Sequence, residues 1–174
     1  ARSDAPGFLI KLEWGITHYR TFGPADAPLA VCIHGLTTPC FVFEALAKAF
    51  VDKGYRVLTY DHYGRGYSDR PKRPQNRNFF VNHLEELLEA LGERGDFDLI
   101  GYSMGGRIAT AFAADHPTRV NRLILIASAG MGANVGWNAK LAGKIYLLGD
   151  WLFMASFAYL HRKDTQKDRM KRSY

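Results

Sequence analysis

Apolar residues alternate between two periods along this chain. Short unbroken runs, LAVCI at 29–33, YRVLTY at 55–60, FDLIGY at 97–102 and RLILIA at 122–127, are separated by longer stretches with helical spacing. In 41–53 the apolar positions are Phe43, Leu46, Ala47 and Phe50, and the pattern stops at Gly54, a helix-ending residue. In 79–91 they are Phe80, Leu84, Leu87, Leu88 and Leu91, with Glu85, Glu86 and Glu89 on the polar side. The stretch 104–115 closes at His116-Pro117. A strand that is apolar throughout must be covered on both faces, so the alternation predicts an α/β fold, a mostly parallel sheet with helices on both sides. Ahead of it, FLIKL at 8–12 and ITHYR at 16–20 read as an antiparallel edge pair, and 23–28 is the turn out of them.

After Gly130 the character changes. Gly132, Asn134 and Gly136 make a loose connection, and from Trp137 the chain is aromatic-rich and helical. This divides the chain into a core over 1–130 and the start of a helical cap over 131–174. Trp137, Tyr146, Trp151, Phe153, Phe157 and Tyr159 exceed what one exposed helix face can hide, and we expect them to form a lid over the carboxyl ends of the strands, enclosing an apolar pocket. The apolar run 145–160 is shorter than the ~20 residues a bilayer needs and carries Asp150, so it does not read as a membrane span.

Charge changes the picture little. The formal +6 is mostly a tail effect, because 162–172 holds six basic and two acidic residues and leaves +2 for the rest. That tail lacks the aromatic interleaving that base stacking requires, so nucleic acid is not an expected partner. A membrane or lipid surface is a less favoured partner than a small molecule. Cys32 and Cys40 give neither a disulfide framework nor a metal spacing, and reduced thiols are expected. No basic segment followed by an apolar core opens the chain, which points to the cytoplasm, although a first residue of Ala1 rather than Met is compatible with a removed leader.

The candidate chemistry starts at GYSMG, residues 101–105. A strand precedes it and the helix pattern MGGRIATAFAA follows, so Ser103 is predicted on a sharp strand-to-helix turn with its hydroxyl at the strand's carboxyl end. Side chains at 101 or 105 would collide with neighbouring backbone, and Gly106 lets the helix lie close to the sheet. A helix-capping serine is the alternative, but capping alone does not call for the flanking glycines.

His34-Gly35 follows the strand LAVCI and has two readings: a catalytic imidazole, or a structural residue of a loop whose glycine frees the N–H of Leu36 to meet a developing oxyanion together with the N–H of Met104. The second is favoured. The G-x-G in 61–69 does not make a dinucleotide site, because Asp69 stands where a third glycine belongs and Pro71 and Pro74 intervene before any helix. No phosphate-binding loop and no zinc motif occurs, so neither cofactor nor metal is expected.

Taken together, HGLTT, YDHYGRGYSDRP and GYSMGG, each after its strand and in this order, resemble the α/β-hydrolase superfamily over about 29–130. The resemblance implies an eight-stranded sheet, a nucleophile at Ser103, an oxyanion hole at Leu36 and Met104, and a structural role for 61–69. It also implies an acid and a histidine on later strands, yet the loop 128–131 offers no carboxylate, and His18, His62, His83, His116 and His161 do not stand where the family places its base. We therefore expect the amino-terminal part of a hydrolase, with the fold incomplete at its carboxyl end and the rest supplied elsewhere, for instance by a second polypeptide. The expected activity is cleavage of carboxylic esters of hydrophobic acyl groups through an acyl-enzyme at Ser103. Within the superfamily the alternatives are carbon–carbon bond hydrolases and cofactor-free perhydrolases or haloperoxidases. From another class, the alternative is a hydrolase-like receptor that binds without turnover.

Overall fold

The computed structural model describes residues 5–130, and the predicted lid over 131–174 lies outside the described residues. Within them the order is β1 (Phe8–Leu12), β2 (Gly15–Phe22), β3 (Leu29–Ile33), a 3-10 turn (Cys40–Phe43), α1 (Glu44–Val51), β4 (Arg56–Tyr60), α2 (Arg77–Ala90), β5 (Phe97–Tyr102), α3 (Met104–Asp115) and β6 (Val120–Ile126). The six strands form one sheet in the order β1-β2-β4-β3-β5-β6. β1, β2 and β4 pair antiparallel, whereas β4, β3, β5 and β6 are parallel, as the patterning predicts.

The two-residue period of β3 explains the layers. Val31 and Ile33 face one way and join Leu84, Leu87 and Leu88 of α2 and Ile108 and Phe112 of α3 in the larger core. Ala30 and Cys32 face the other way, against Phe43 and Ala47. Each of these β3 residues is almost wholly buried, which is why the strand carries no polar position. α1 therefore covers one face while α2 and α3 cover the other, the arrangement that right-handed crossovers produce when strand order reverses direction. At about 1.5–3 kcal/mol per buried large apolar side chain, these two layers supply the main driving force.

Boundaries differ from the pattern where local chemistry intervenes. α2 starts two residues early because the Asn76 side chain accepts the N–H of Phe79 at 3.0 Å. The stretch expected as one helix from 41 begins instead as the 3-10 turn after Pro39. Among the described residues no helix is long and apolar enough to cross a membrane.

Candidate active site at the reversal of strand order

The chain moves from β3 outward to β4, then crosses back past β3 to β5. Loops leaving β3 and β5 thus diverge at the strands' carboxyl ends, the place at which open α/β sheets bind ligands. Parallel register pairs Ile33 with Gly101, so the segments following Ile33 and Gly101 emerge side by side. One carries Leu36 and the other carries Ser103.

Ser103 sits between β5 and α3 with φ 54° and ψ −117°, a conformation that L-residues avoid. Its backbone is held there. The Ser103 N–H donates to the Ile126 carbonyl, and its own carbonyl accepts from Gly106 and Ala129, all at 3.0 Å. Strain of this kind, of order 1–3 kcal/mol, persists only where the surroundings over-determine it. The glycines meet the sterics predicted for them: a Cβ on Gly105 would lie 2.1 Å from the Ile33 carbonyl oxygen, and one on Gly101 would lie 2.6 Å from the Gly105 carbonyl oxygen. A Cβ on Gly35 would stand 3.3 Å from Ser103 Cβ, so the loop after β3 passes directly beside the serine. Met104 opens α3, whose first-turn N–H groups have no partner within the helix. Leu36 is half exposed in its loop.

His34 is fully buried. Its Nδ1 donates to the Gly35 carbonyl at 2.7 Å, and its Nε2 accepts the N–H of His62 at 3.0 Å, so the ring is neutral with its proton on Nδ1. Burial lowers its pKa from 6.5 to about 4. The ring is committed to the loop, which favours the structural reading over the catalytic one. His62 returns a bond, its Nε2–H donating to the His34 carbonyl at 3.1 Å. Burial, with the neighbouring His34 and His83, pushes its pKa well down. His83 bonds the Thr17 hydroxyl through Nε2 at 2.7 Å, and burial lowers its pKa to about 3. Among the described residues, none of these histidines is hydrogen-bonded to Ser103.

A second buried group lies beneath the loops. Asp61 accepts from the Cys40 N–H at 2.8 Å, the Tyr67 N–H at 3.0 Å and His18 Nδ1 at 2.8 Å. Burial works to raise its pKa, but these donors outweigh burial and hold the carboxyl below its usual range. The other His18 nitrogen lies 2.7 Å from the Pro6 carbonyl, so both ring nitrogens are engaged. His18, Cys40 and Asp61 are close enough to suggest a metal site. Their hydrogen bonds already satisfy the carboxylate, however, and burial pushes the Cys40 thiol up, away from the thiolate a metal would need. Gly66 is glycine because a Cβ there would fall 2.0 Å from Asp61 Oδ2. Gly66 therefore lets the loop close around a carboxylate, in keeping with the structural role expected of that segment.

Residues 28–151 match the family model of the alpha/beta hydrolase fold. The chain belongs to this family. Over 80 residues it is 49% identical to the 2-hydroxymuconate semialdehyde hydrolase of Pseudomonas sp. strain CF600, covering 45% of this chain and 28% of that protein. A structure from work on carboxylesterases of the thaumarchaeon Nitrososphaera superimposes with a TM-score of 0.66 and 26% identity, covering 70% of this chain and 46% of the other. The meta-cleavage product hydrolase of Pseudomonas fluorescens IP01 superimposes with a TM-score of 0.64 and 28% identity, covering 74% and 47%. The chain spans less than half the length of each of these hydrolases.

In the alpha/beta hydrolase sheet, the sequence-predicted Ser103 and Met104 follow the carboxyl end of β5, and Leu36 follows that of β3. The pairings His34–His62 and His18–Asp61 were not foreseen from the sequence. The signal available was that Asp61-His62 follows its strand just as His34 follows the adjacent one.

Proposed function

We propose that this chain carries the nucleophile and oxyanion hole of a serine hydrolase acting on carboxylic esters of hydrophobic acyl groups. The observation that carries the reading is Ser103 itself, a non-glycine residue held at φ 54° by three backbone hydrogen bonds beside Gly35. A capping serine has no need of that conformation, whereas a nucleophile must stand clear of both strand and helix. In this reading Ser103 Oγ bonds to the acyl carbon as a base takes its proton, and the charge on the former carbonyl oxygen is met by the Leu36 and Met104 N–H groups. Collapse breaks the bond to the alcohol, which leaves with that proton, and water then releases the acyl group. The base and its orienting acid come from outside the described residues.

A second reading has a specific observation behind it. The 49% identical segment belongs to a hydrolase of 2-hydroxymuconate semialdehyde, a compound whose name contains no ester, so its hydrolysis must cut a carbon–carbon bond. The same nucleophile and oxyanion donors serve that chemistry.

The test uses the full-length protein with a series of p-nitrophenyl esters and, in parallel, 2-hydroxymuconate semialdehyde followed by its absorbance. Ester turnover with a nitrophenol burst, abolished in Ser103→Ala, is the expected result. Consumption of the semialdehyde alone selects carbon–carbon cleavage. Activity that survives Ser103→Ala refutes the serine mechanism, and ligand binding without any turnover leaves a receptor.

A further inference from the structure

The Leu36 N–H shares its peptide unit with the Gly35 carbonyl, the acceptor of the His34 Nδ1–H. Among the described residues no peptide is cis, so this N–H points opposite to that carbonyl, away from the buried imidazole. A peptide whose carbonyl is already hydrogen-bonded is also a better donor. On the other side of the residue, the Leu36 carbonyl accepts from Arg65 Nε at 2.6 Å. Both peptide planes meeting at Leu36 are thereby tied down, one from beneath by an imidazole and one laterally by a guanidinium.

Arg65 is braced for this task. Its Nη1 donates to the Gly64 carbonyl at 3.0 Å, and its backbone N–H closes a turn onto the His62 carbonyl at 2.9 Å. The same turn delivers the His62 N–H that fixes the His34 tautomer. A single segment at the end of β4 therefore controls both restraints on a loop that is 28 or 29 residues away in sequence. Without the guanidinium, Leu36, half exposed and with no covering element described, would keep only the Gly35 side of its orientation.

We propose that Arg65 is a positioning residue of the hydrolase site, which with His34 aims the Leu36 N–H at the position the oxyanion will occupy. This rests on the serine-hydrolase reading above. Arg65 touches neither nucleophile nor substrate in this role; it acts through the loop. An oxyanion donor matters only in the transition state, so its misplacement lowers kcat and leaves KM in place.

The experiment compares the full-length protein with Arg65→Met, Arg65→Gln and Arg65→Lys on whichever substrate is turned over, and measures affinity for an alkyl boronic acid that forms a tetrahedral adduct on the serine. Removing a whole oxyanion donor costs roughly 100–1,000-fold in kcat, so misaiming one is expected to cost ~10–100-fold. Arg65→Met and Arg65→Gln should show that loss with KM within about twofold, boronate affinity should fall in parallel, and Arg65→Lys, which keeps a donor, should recover part of both. A kcat within about twofold of the parent in a folded Met or Gln variant overturns the inference, as does a kcat loss with unchanged boronate affinity. If Arg65→Met does not fold, Arg65→Gln decides by the same criteria, and failure of both to fold assigns Arg65 to stability and also overturns it. Ser103→Ala separates the two readings: if it retains activity the serine mechanism itself is wrong, whereas if it is inactive and Arg65→Met is not impaired, only the positioning role fails.

Discussion

Lowering the pH from 6.5 to 4.5 should destabilise this fold far more steeply than a typical surface would allow. His34, His62 and His83 are all 0% exposed, each with its pKa pushed below 6.5 mainly by burial, His34 to about 4 and His83 to about 3. In the unfolded chain each takes up a proton near pH 6.5, while in the folded chain His34 and His83 do so only at about 4 and 3, and His62 only well below its ordinary value. The unfolded state thus binds more protons in this window, and stability falls as pH falls. At about 1.4 kcal/mol per proton and pH unit, His34 and His83 give a slope near 3 kcal/mol per unit and a loss of roughly 4 kcal/mol between pH 6.5 and 4.5, and His62 adds to it in the same direction. Asp61 acts in the same direction, because its carboxyl is held below the usual range and its contribution disappears as it is protonated at still lower pH. Against a total stability of about 5–15 kcal/mol, this removes a large share of the folding free energy by pH 4.5. Urea unfolding at half-unit pH steps, followed by tryptophan fluorescence, measures the slope directly. A slope corresponding to one proton or fewer would show that these histidines are protonated in the folded state, and the tautomer assignment for His34 would fall with it.

Three further variants test the strained Ser103 and the buried Asp61. Ser103→Gly removes the Cβ that makes φ 54° costly, so despite its added unfolded-state entropy it should gain about 1 kcal/mol, or ~2–4 °C in Tm, while losing activity. Ser103→Ala keeps the Cβ and should gain nothing in the same calorimetric scan. Asp61→Asn leaves one acceptor oxygen where three buried donors converge, and should cost about 1–3 kcal/mol in urea unfolding at pH 7. A loss below about 1 kcal/mol would mean the pair contributes little beyond shape.

Much of this molecule was legible along the chain because the governing forces are local. A run such as Leu29 to Ile33 has no polar position, so no arrangement but a strand covered on both faces can hold it, and the structure buries all five residues. Ser103 was marked by glycines at 101, 105 and 106, since the steric demand of a tight turn appears in the residues next to it. Capping by Asn76 shifted the start of α2 for a reason that is also local, and was missed only because no apolar period marks it. Tertiary structure decided the rest. The partners His34 and His62 are 28 residues apart, Arg65 and Leu36 are 29, and His18 and Asp61 are 43. His34 meets His62, and Leu36 meets Arg65, because the crossover through α1 lays β4 parallel beside β3 and brings their ends to one level, while His18 meets Asp61 because β2 runs antiparallel beside β4. A histidine's tautomer depends on which donor or acceptor stands 3 Å from each ring nitrogen, and sequence spacing carries no information about that distance. The residue types at the site were therefore readable from the chain, while their protonation, tautomer and mutual restraint came from the packing of strands that are remote in sequence.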